Sequence, residues 1–353
     1  MELALASPES DLTAVNARFV KDHLVSRWKD FEDSAEYVHA SERIRRVAAS
    51  RGLEVIQGPG VSLFLQGDEC VGGLVGTQPS ISTGLATKIC ASKGLTKELL
   101  LRAGLPTPAF RLISRNNIES AREYVRSRPK DALVVKPLDG NQGKGITTGL
   151  RTPSALDAAW ERAKNATKAE MILIEDEVAG VDVRVSVVNG VAIAAAARIP
   201  PFVVGNGTAT LAELTAELLT ARTRHSYLRR LKLLPDPEYL RRATASQETV
   251  LLPNQVQFLN GTANLSQGGV PVDITDTIPA EILRLAERVT KAIPELGYAG
   301  VDVLMPDVTS TAGAMVIEVN TSANPLVHDL PVFGQCRHVC DAMVGEIIRR
   351  AQP

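Results

Sequence analysis

Val134-Val135-Lys136-Pro137-Leu138-Asp139-Gly140-Asn141-Gln142-Gly143-Lys144-Gly145-Ile146 carries a lysine from the end of an apolar, strand-like run straight into a glycine-rich loop. Glycines let a backbone approach an anion closely and turn successive N–H groups toward it. With Lys136 and Lys144 supplying positive charge, the stretch suits a polyphosphate. It is neither the P-loop pattern, in which Gly-Lys-Ser/Thr opens a helix, nor the G-x-G-x-x-G fingerprint of a strand-to-helix turn. A Gly/Asn/Gln-rich segment after a strand is also an ordinary hairpin loop, and the stretch alone leaves both readings open.

Two acidic signatures downstream favour a nucleotide enzyme. Met171-Ile172-Leu173-Ile174 ends in Glu175-Asp176-Glu177-Val178, and residues 181–188 alternate in the strand manner, placing Asp182, Arg184 and Ser186 on one face. Residues 300–305 and 314–320 read as two adjacent strands carrying Asp302, Glu318 and Asn320, the last two pointing the same way because they sit two apart. Oxygen ligands on one face suit a hard cation such as Mg²⁺ whose octahedron phosphates complete. Glu318 stands among apolar strand residues, where a carboxylate is costly to bury unless paired or metal-bound. Arg184 beside Asp182 reads either as a site residue or as that aspartate's structural partner, and Lys136 before Pro137 either as a phosphate lysine or as an edge-strand lysine. His328 reads as a contact to the acceptor substrate or as loop packing.

In this order, the strand-Lys-Pro, glycine loop, acidic hinge, Asp strand and Glu-x-Asn strand resemble the ATP-grasp superfamily of carboxylate–amine ligases over roughly residues 80–350. The likeness extends to the ATP-grasp portion of cyanophycin synthetase and of the bifunctional glutathione synthetases. It is carried also by Arg198-Ile199-Pro200-Pro201-Phe202-Val203-Val204-Gly205-Asn206-Gly207 and Thr262-Ala263-Asn264-Leu265-Ser266-Gln267-Gly268-Gly269. The resemblance implies an α/β (α+β) ATP-grasp fold: an N-terminal α/β domain (1–85), a small lobe with the glycine loop (86–177) and a large lobe with the magnesium site (178–353).

It further implies ATP phosphate contact by Lys93 or Lys97, with Lys93 preferred, by Lys136, and by the loop at Gly140, Gly143, Lys144 and Gly145. Glu175 would hold adenine, Glu177 and Val178 would offer backbone groups, and Asp182 would meet the ribose. Asp302, Glu318 and Asn320 match magnesium ligands for two ions, with Mn²⁺ an alternative. Arg184, Arg198 and Lys136 would be catalytic, and Arg184, Asn264, Gly268, Gly269 and His328 would face the substrates.

The activity so implied is ATP-dependent activation of an amino-acid-like carboxylate as an acyl phosphate, followed by amide formation with an amine, between two molecules or within one. A phosphotransferase and a catalytically silent nucleotide-binding module are the alternatives. Two departures bear on substrate: Glu318-Val319-Asn320 runs into Thr321-Ser322-Ala323-Asn324-Pro325-Leu326-Val327-His328 rather than a Pro-Gly-Leu-like turn, and no second P-loop ligase domain precedes Pro353. A two-amino-acid polymerising cycle is therefore not expected within this polypeptide.

With 353 residues, 44% hydrophobic and 22% charged, the chain can bury a large core. A net charge of −1 gives no electrostatic footprint for nucleic acid or anionic membrane. No apolar run approaches the ~18 residues of a spanning helix, and no basic-then-apolar leader opens the chain, so a cytoplasmic enzyme acting on amino acids or short peptides is expected. A homodimer is the commonest closed assembly, and the sequence leaves oligomeric state open. Cys336-x-x-x-Cys340, with His338 between, lacks the second ligand pair of a structural zinc site and reads as packing thiols.

Helical patterns are expected over residues 83–103, 118–126, 153–165, 210–221 and 280–293, with Thr152 as an N-cap before Pro153. Asn189-Gly190 marks a tight hairpin. The basic residues between 222 and 255 read as a solvated helical face or as contacts to an anion.

Overall fold

The computed structural model describes residues 8–31, 36–128, 132–139 and 144–352. Gly140 and Gly143 lie outside them. Three antiparallel sheets and a two-stranded ribbon organise the described residues. The first sheet is a meander of Glu54–Gly58, Val61–Gln66, Glu69–Val75 and Gln78–Pro79, entered through Gly52, whose φ of 82° ends the helix Ala40–Ser50. Its inner face, with Phe64 and Leu74, shares one core with Ile44, Ala48 and the C-terminal helix Val339–Ala351. Cys340 is buried in that core, and among the described residues no three His, Cys, Asp or Glu side chains are grouped to hold a metal.

The small sheet has the order Phe110–Ser114, Met171–Asp176, Leu133–Pro137, Thr147–Leu150. Helices Ile118–Arg126 and Pro153–Ala166 cover one face, where Leu133, Val135, Ile172 and Ile174 meet Trp160. Period-two alternation therefore sends Lys136 and Glu175 to the opposite face. The Lys136 strand is paired on both sides, so the edge-strand reading fails.

The central sheet runs Val270–Asp273, Val191–Ile199, Val181–Val188, Tyr298–Met305, Met315–Asn320. Asn189 and Gly190 both have positive φ (47° and 74°), as a two-residue hairpin turn requires. Valines 181, 183, 185 and 187 point into the main core with Ile282, Ala286 and Val289 of helix Ala280–Lys291, leaving the charged residues on the other face.

Three local expectations change. Residues 83–103 form two helices, Gly84–Ala91 and Lys93–Arg102, because Ser92 is extended and its Oγ accepts the Leu95 N–H at 3.4 Å as a new N-cap. Thr152 occupies an N-cap position, yet its hydroxyl lies 3.0 Å from Ser154 Oγ and makes no cap bond. The basic stretch divides: Arg222 and His225 are buried at the end of helix Leu211–Arg222, whereas Arg224, Arg229, Arg230, Arg241 and Arg242 are exposed, the last two on Glu238. Among the described residues no helix is long and apolar enough to cross a membrane.

Candidate active site

Strand register assembles the charged face of the central sheet. Arg184 pairs with Asp302, and Asp302 with Glu318, so three strands set these residues in one row; Asp182 and Arg198 pair in a neighbouring row on the same face. Arg184 grips Asp302 with two bonds, Nε to Oδ1 at 2.8 Å and Nη2 to Oδ2 at 2.7 Å. Arg198 Nη2 bridges Asp182 and Asp302, lying 3.1 Å from Asp302 Oδ2. Arg184 is thus the partner of Asp302 and not of Asp182, since register outweighs nearness in sequence. Burial works against ionisation of Asp302, but the charges and hydrogen bonds of Arg184 and Arg198 outweigh it and hold the carboxyl below its usual range.

Asn320 Nδ2 donates to Asp302 Oδ2 at 3.4 Å, which leaves its Oδ1 lone pairs available to a cation. Glu318 Oε1 lies 3.0 Å from Lys93 Nζ. Beneath Arg184 the sheet needs a glycine: a Cβ on Gly300 would stand 2.5 Å from the Ala323 Cβ and 3.2 Å from the Arg184 Nε.

Lys97, not Lys93, lies with Lys136, and both ammonium groups contact the Glu175 carboxylate, Lys97 at 2.8 Å. Lys97 also donates to Thr107 Oγ1 at 2.7 Å, and that hydroxyl donates to the Val316 carbonyl at 2.9 Å, tying this cluster to the strand of Glu318. All three charged groups are at least 95% buried, so Glu175 is committed to the lysines and its side chain does not present itself to a base. Lys93 and Lys97 stand one helical turn apart and serve the two acidic clusters separately.

Glu177 Oε1 accepts the Gly149 N–H at 3.2 Å, while Val178 is half-buried and Lys144 exposed. Gly145 has φ +78°, and a Cβ there would meet Ala166 at 2.5 Å. On the substrate side, Gly269 N–H returns to the Asn264 carbonyl at 3.1 Å, closing a loop in which a Cβ on Gly269 would lie 2.2 Å from the Ala263 carbonyl. Gly268 at φ 101° ends the short turn Leu265–Gln267. Thr107 and Gly300 carry no signal in the sequence beyond their neighbours, because their roles depend on which strands pair.

His328 is 1% exposed, and among the described residues neither ring nitrogen has a hydrogen-bond partner. Burial, reinforced by the charges of Arg184 and Arg198, draws its pKa down to about 3. An unfolded histidine binds its proton near pH ~6.5. Between that pH and the folded value the unfolded chain holds the extra proton, so stability falls as pH drops through this window. His328→Asn should therefore remove about one proton from the pH slope of the unfolding free energy, checked by urea titrations across the window; an unchanged slope would contradict a neutral buried imidazole.

The family model for the ATP-grasp (A) domain of phosphoribosylglycinamide synthetase matches residues 91–199. Cyanophycin synthetase of Trichormus variabilis is 34% identical over 277 residues, 76% of this chain and 30% of that protein. The glutathione biosynthesis bifunctional protein of Desulfotalea psychrophila is 28% identical over 77% of this chain and 35% of its own length. The chain thus spans about a third of the curated relatives it matches. The crystal structure of a bifunctional glutathione synthetase from Pasteurella multocida superposes over 88% of this chain and 43% of that one, with a TM-score of 0.65 at 22% identity.

Proposed function

The chain belongs to the ATP-grasp superfamily, and from that premise we propose that it is an ADP-forming carboxylate–amine ligase of the cytoplasm acting on amino acids or short peptides. The observation that carries this reading is the packing of Lys97 and Lys136 against Glu175, joined through Thr107 to a sheet face that lines up Arg184, Asp302 and Glu318.

A carboxylate is a poor electrophile, so one of its oxygens first attacks the γ-phosphorus of ATP, releasing ADP and leaving an acyl phosphate. The amine lone pair then attacks the acyl carbon and the C–O bond to phosphate breaks. One amine hydrogen stays on the amide and the other leaves as a proton, giving hydrogen phosphate. Lys97 and Lys136 would stabilise charge on the phosphates, and Arg198 and Arg184 would face the phosphoryl group as it moves. Asp302, Glu318 and Asn320 fit a Mg²⁺ site: two carboxylates stand opposite each other on paired strands, the amide oxygen is free, and both carboxylates already hold cationic side chains. When bound, the ion would neutralise phosphate oxygens and polarise the transferred group.

The test is magnesium-dependent ADP release against amino acids and dipeptides, singly and in pairs, with mass spectrometry of the products. A product one water lighter than two combined substrates, or than one, is expected. ADP with a stable phosphorylated product would replace this reading by the phosphotransferase, and uniform silence would favour the nucleotide-binding module.

A further inference from the structure

Beside the loop of residues 262–267 lies a cavity of about 540 Å³, within the range of small-molecule sites, lined by none of the nucleotide or metal residues above. Its carboxylates are already engaged. Glu238 is held by Arg241 at 2.8 Å and Arg242 at 3.1 Å, and Asp236 accepts the Glu238 and Tyr239 N–H groups at 2.9 and 3.2 Å as a helix cap. Lys232, also on the wall, is exposed and has no ion pair among the described residues. Exposed Ser266 and Gln267 add hydrogen-bonding groups, and Leu234 and the Tyr239 ring add apolar surface.

A second charge lies beneath the same loop. Arg222 is 2% exposed; its Nη1 donates to the Gly268 carbonyl at 3.0 Å, its Nη2 has no partner, and no carboxylate pairs with it among the described residues. Burial draws its pKa down to about 10, so it remains a cation at neutral pH. An uncompensated charge in a low-dielectric interior is screened weakly, and its field adds to that of Lys232. Lys232, Arg241, Arg242 and Arg222 are four positive charges against the two carboxylates of Asp236 and Glu238, so the surroundings of the cavity favour an anion. The loop also links it to the sheet site: Gly269 bonds back to Asn264, and the following Val270 and Pro271 pair with Ile199 and Arg198.

We propose that this cavity is a substrate subsite for the carboxylate-bearing end of an amino acid or peptide whose reacting group lies toward Arg198, with Lys232 as its direct counter-charge. The identity of the bound group rests on the ligase reading; the anionic preference does not.

The experiment measures binding of trialanine, trialanine amide and inorganic phosphate, without ATP, by calorimetry on the wild type and on Lys232→Glu. Lys232 is exposed and its replacement leaves the core untouched. Wild type should bind the free acid at least about tenfold more tightly than the amide, a difference of about 1.4 kcal/mol, and Lys232→Glu should lose the preference. Equal binding of acid and amide, no binding of either, or an undiminished preference in the variant overturns the subsite. Lys232-dependent binding of phosphate alone overturns the carboxylate assignment. Because no turnover is involved, acid-selective binding without ADP release would sink the ligase reading and leave the subsite, while ADP release without acid-selective binding would do the reverse.

Discussion

Replacing Glu318 by glutamine is expected to lower magnesium-dependent ADP release by about 10²- to 10³-fold, the scale on which losing one preorganised electrostatic group lowers kcat, while leaving the fold intact. The separation of the two effects follows from exposure. The Glu318 side chain is 30% exposed and, among the described residues, its ion pair is with Lys93, and losing one partner of such a partly open pair costs less than breaking a fully buried one. Glutamine keeps the shape and one oxygen but loses the charge that would make the site attractive to a divalent cation. Asp302→Asn would be a poorer test. That carboxylate is bonded by the buried guanidinium of Arg198 and the mostly buried one of Arg184, and uncovering them would cost about 3–5 kcal/mol, so lost activity would be confounded with unfolding. The measurement is ADP release as a function of magnesium concentration beside a melting curve. An unchanged rate in Glu318→Gln would remove this glutamate from the metal site.

The same residues show how far the sequence could be read. Asp302, Glu318 and Asn320 could be placed on one face because strand alternation has a period of two, and that requires only the local pattern. What Arg184 would touch could not be read, because a residue's neighbour across the sheet depends on register: it meets Asp302, far along the chain, and not Asp182 two positions away. Lys93 and Lys97 were ambiguous for a related reason. Four residues apart on a helix they share a face, and only the packing of that helix between the small and central sheets sends one to Glu318 and the other to Glu175. Arg222 and His225 looked solvated because charged residues usually are; their burial comes from the loop ending at Gly268 and from the chain at Pro331, which approach from other parts of the fold.

Glu175→Gln should be the most destabilising single polar substitution in the small sheet, with an expected loss of about 3–5 kcal/mol in urea unfolding. One carboxylate there neutralises two ammonium groups, and the side chains of Glu175, Lys97 and Lys136 are all 5% exposed or less. Burial already pulls the Lys97 pKa down, opposed chiefly by the charge of Glu175. Without that carboxylate two buried cations repel each other, and Lys97 is driven further toward its neutral form.

The lost counter-charge also gives a way to ask what the lysines are for. If Lys97 and Lys136 receive ATP phosphates, the nucleotide brings the negative charge that the variant lacks, and ligand binding to the folded state raises stability in proportion to its affinity. Saturating Mg-ATP should therefore raise the melting temperature of Glu175→Gln by more than it raises that of the wild type, in which the nucleotide must compete with Glu175 for the same ammonium groups. Adenosine, which has no phosphates, should show no such excess. If Mg-ATP stabilised both proteins equally, the lysine pair would be a structural ion cluster, and the phosphate contacts would have to be sought at Lys93 and Lys144.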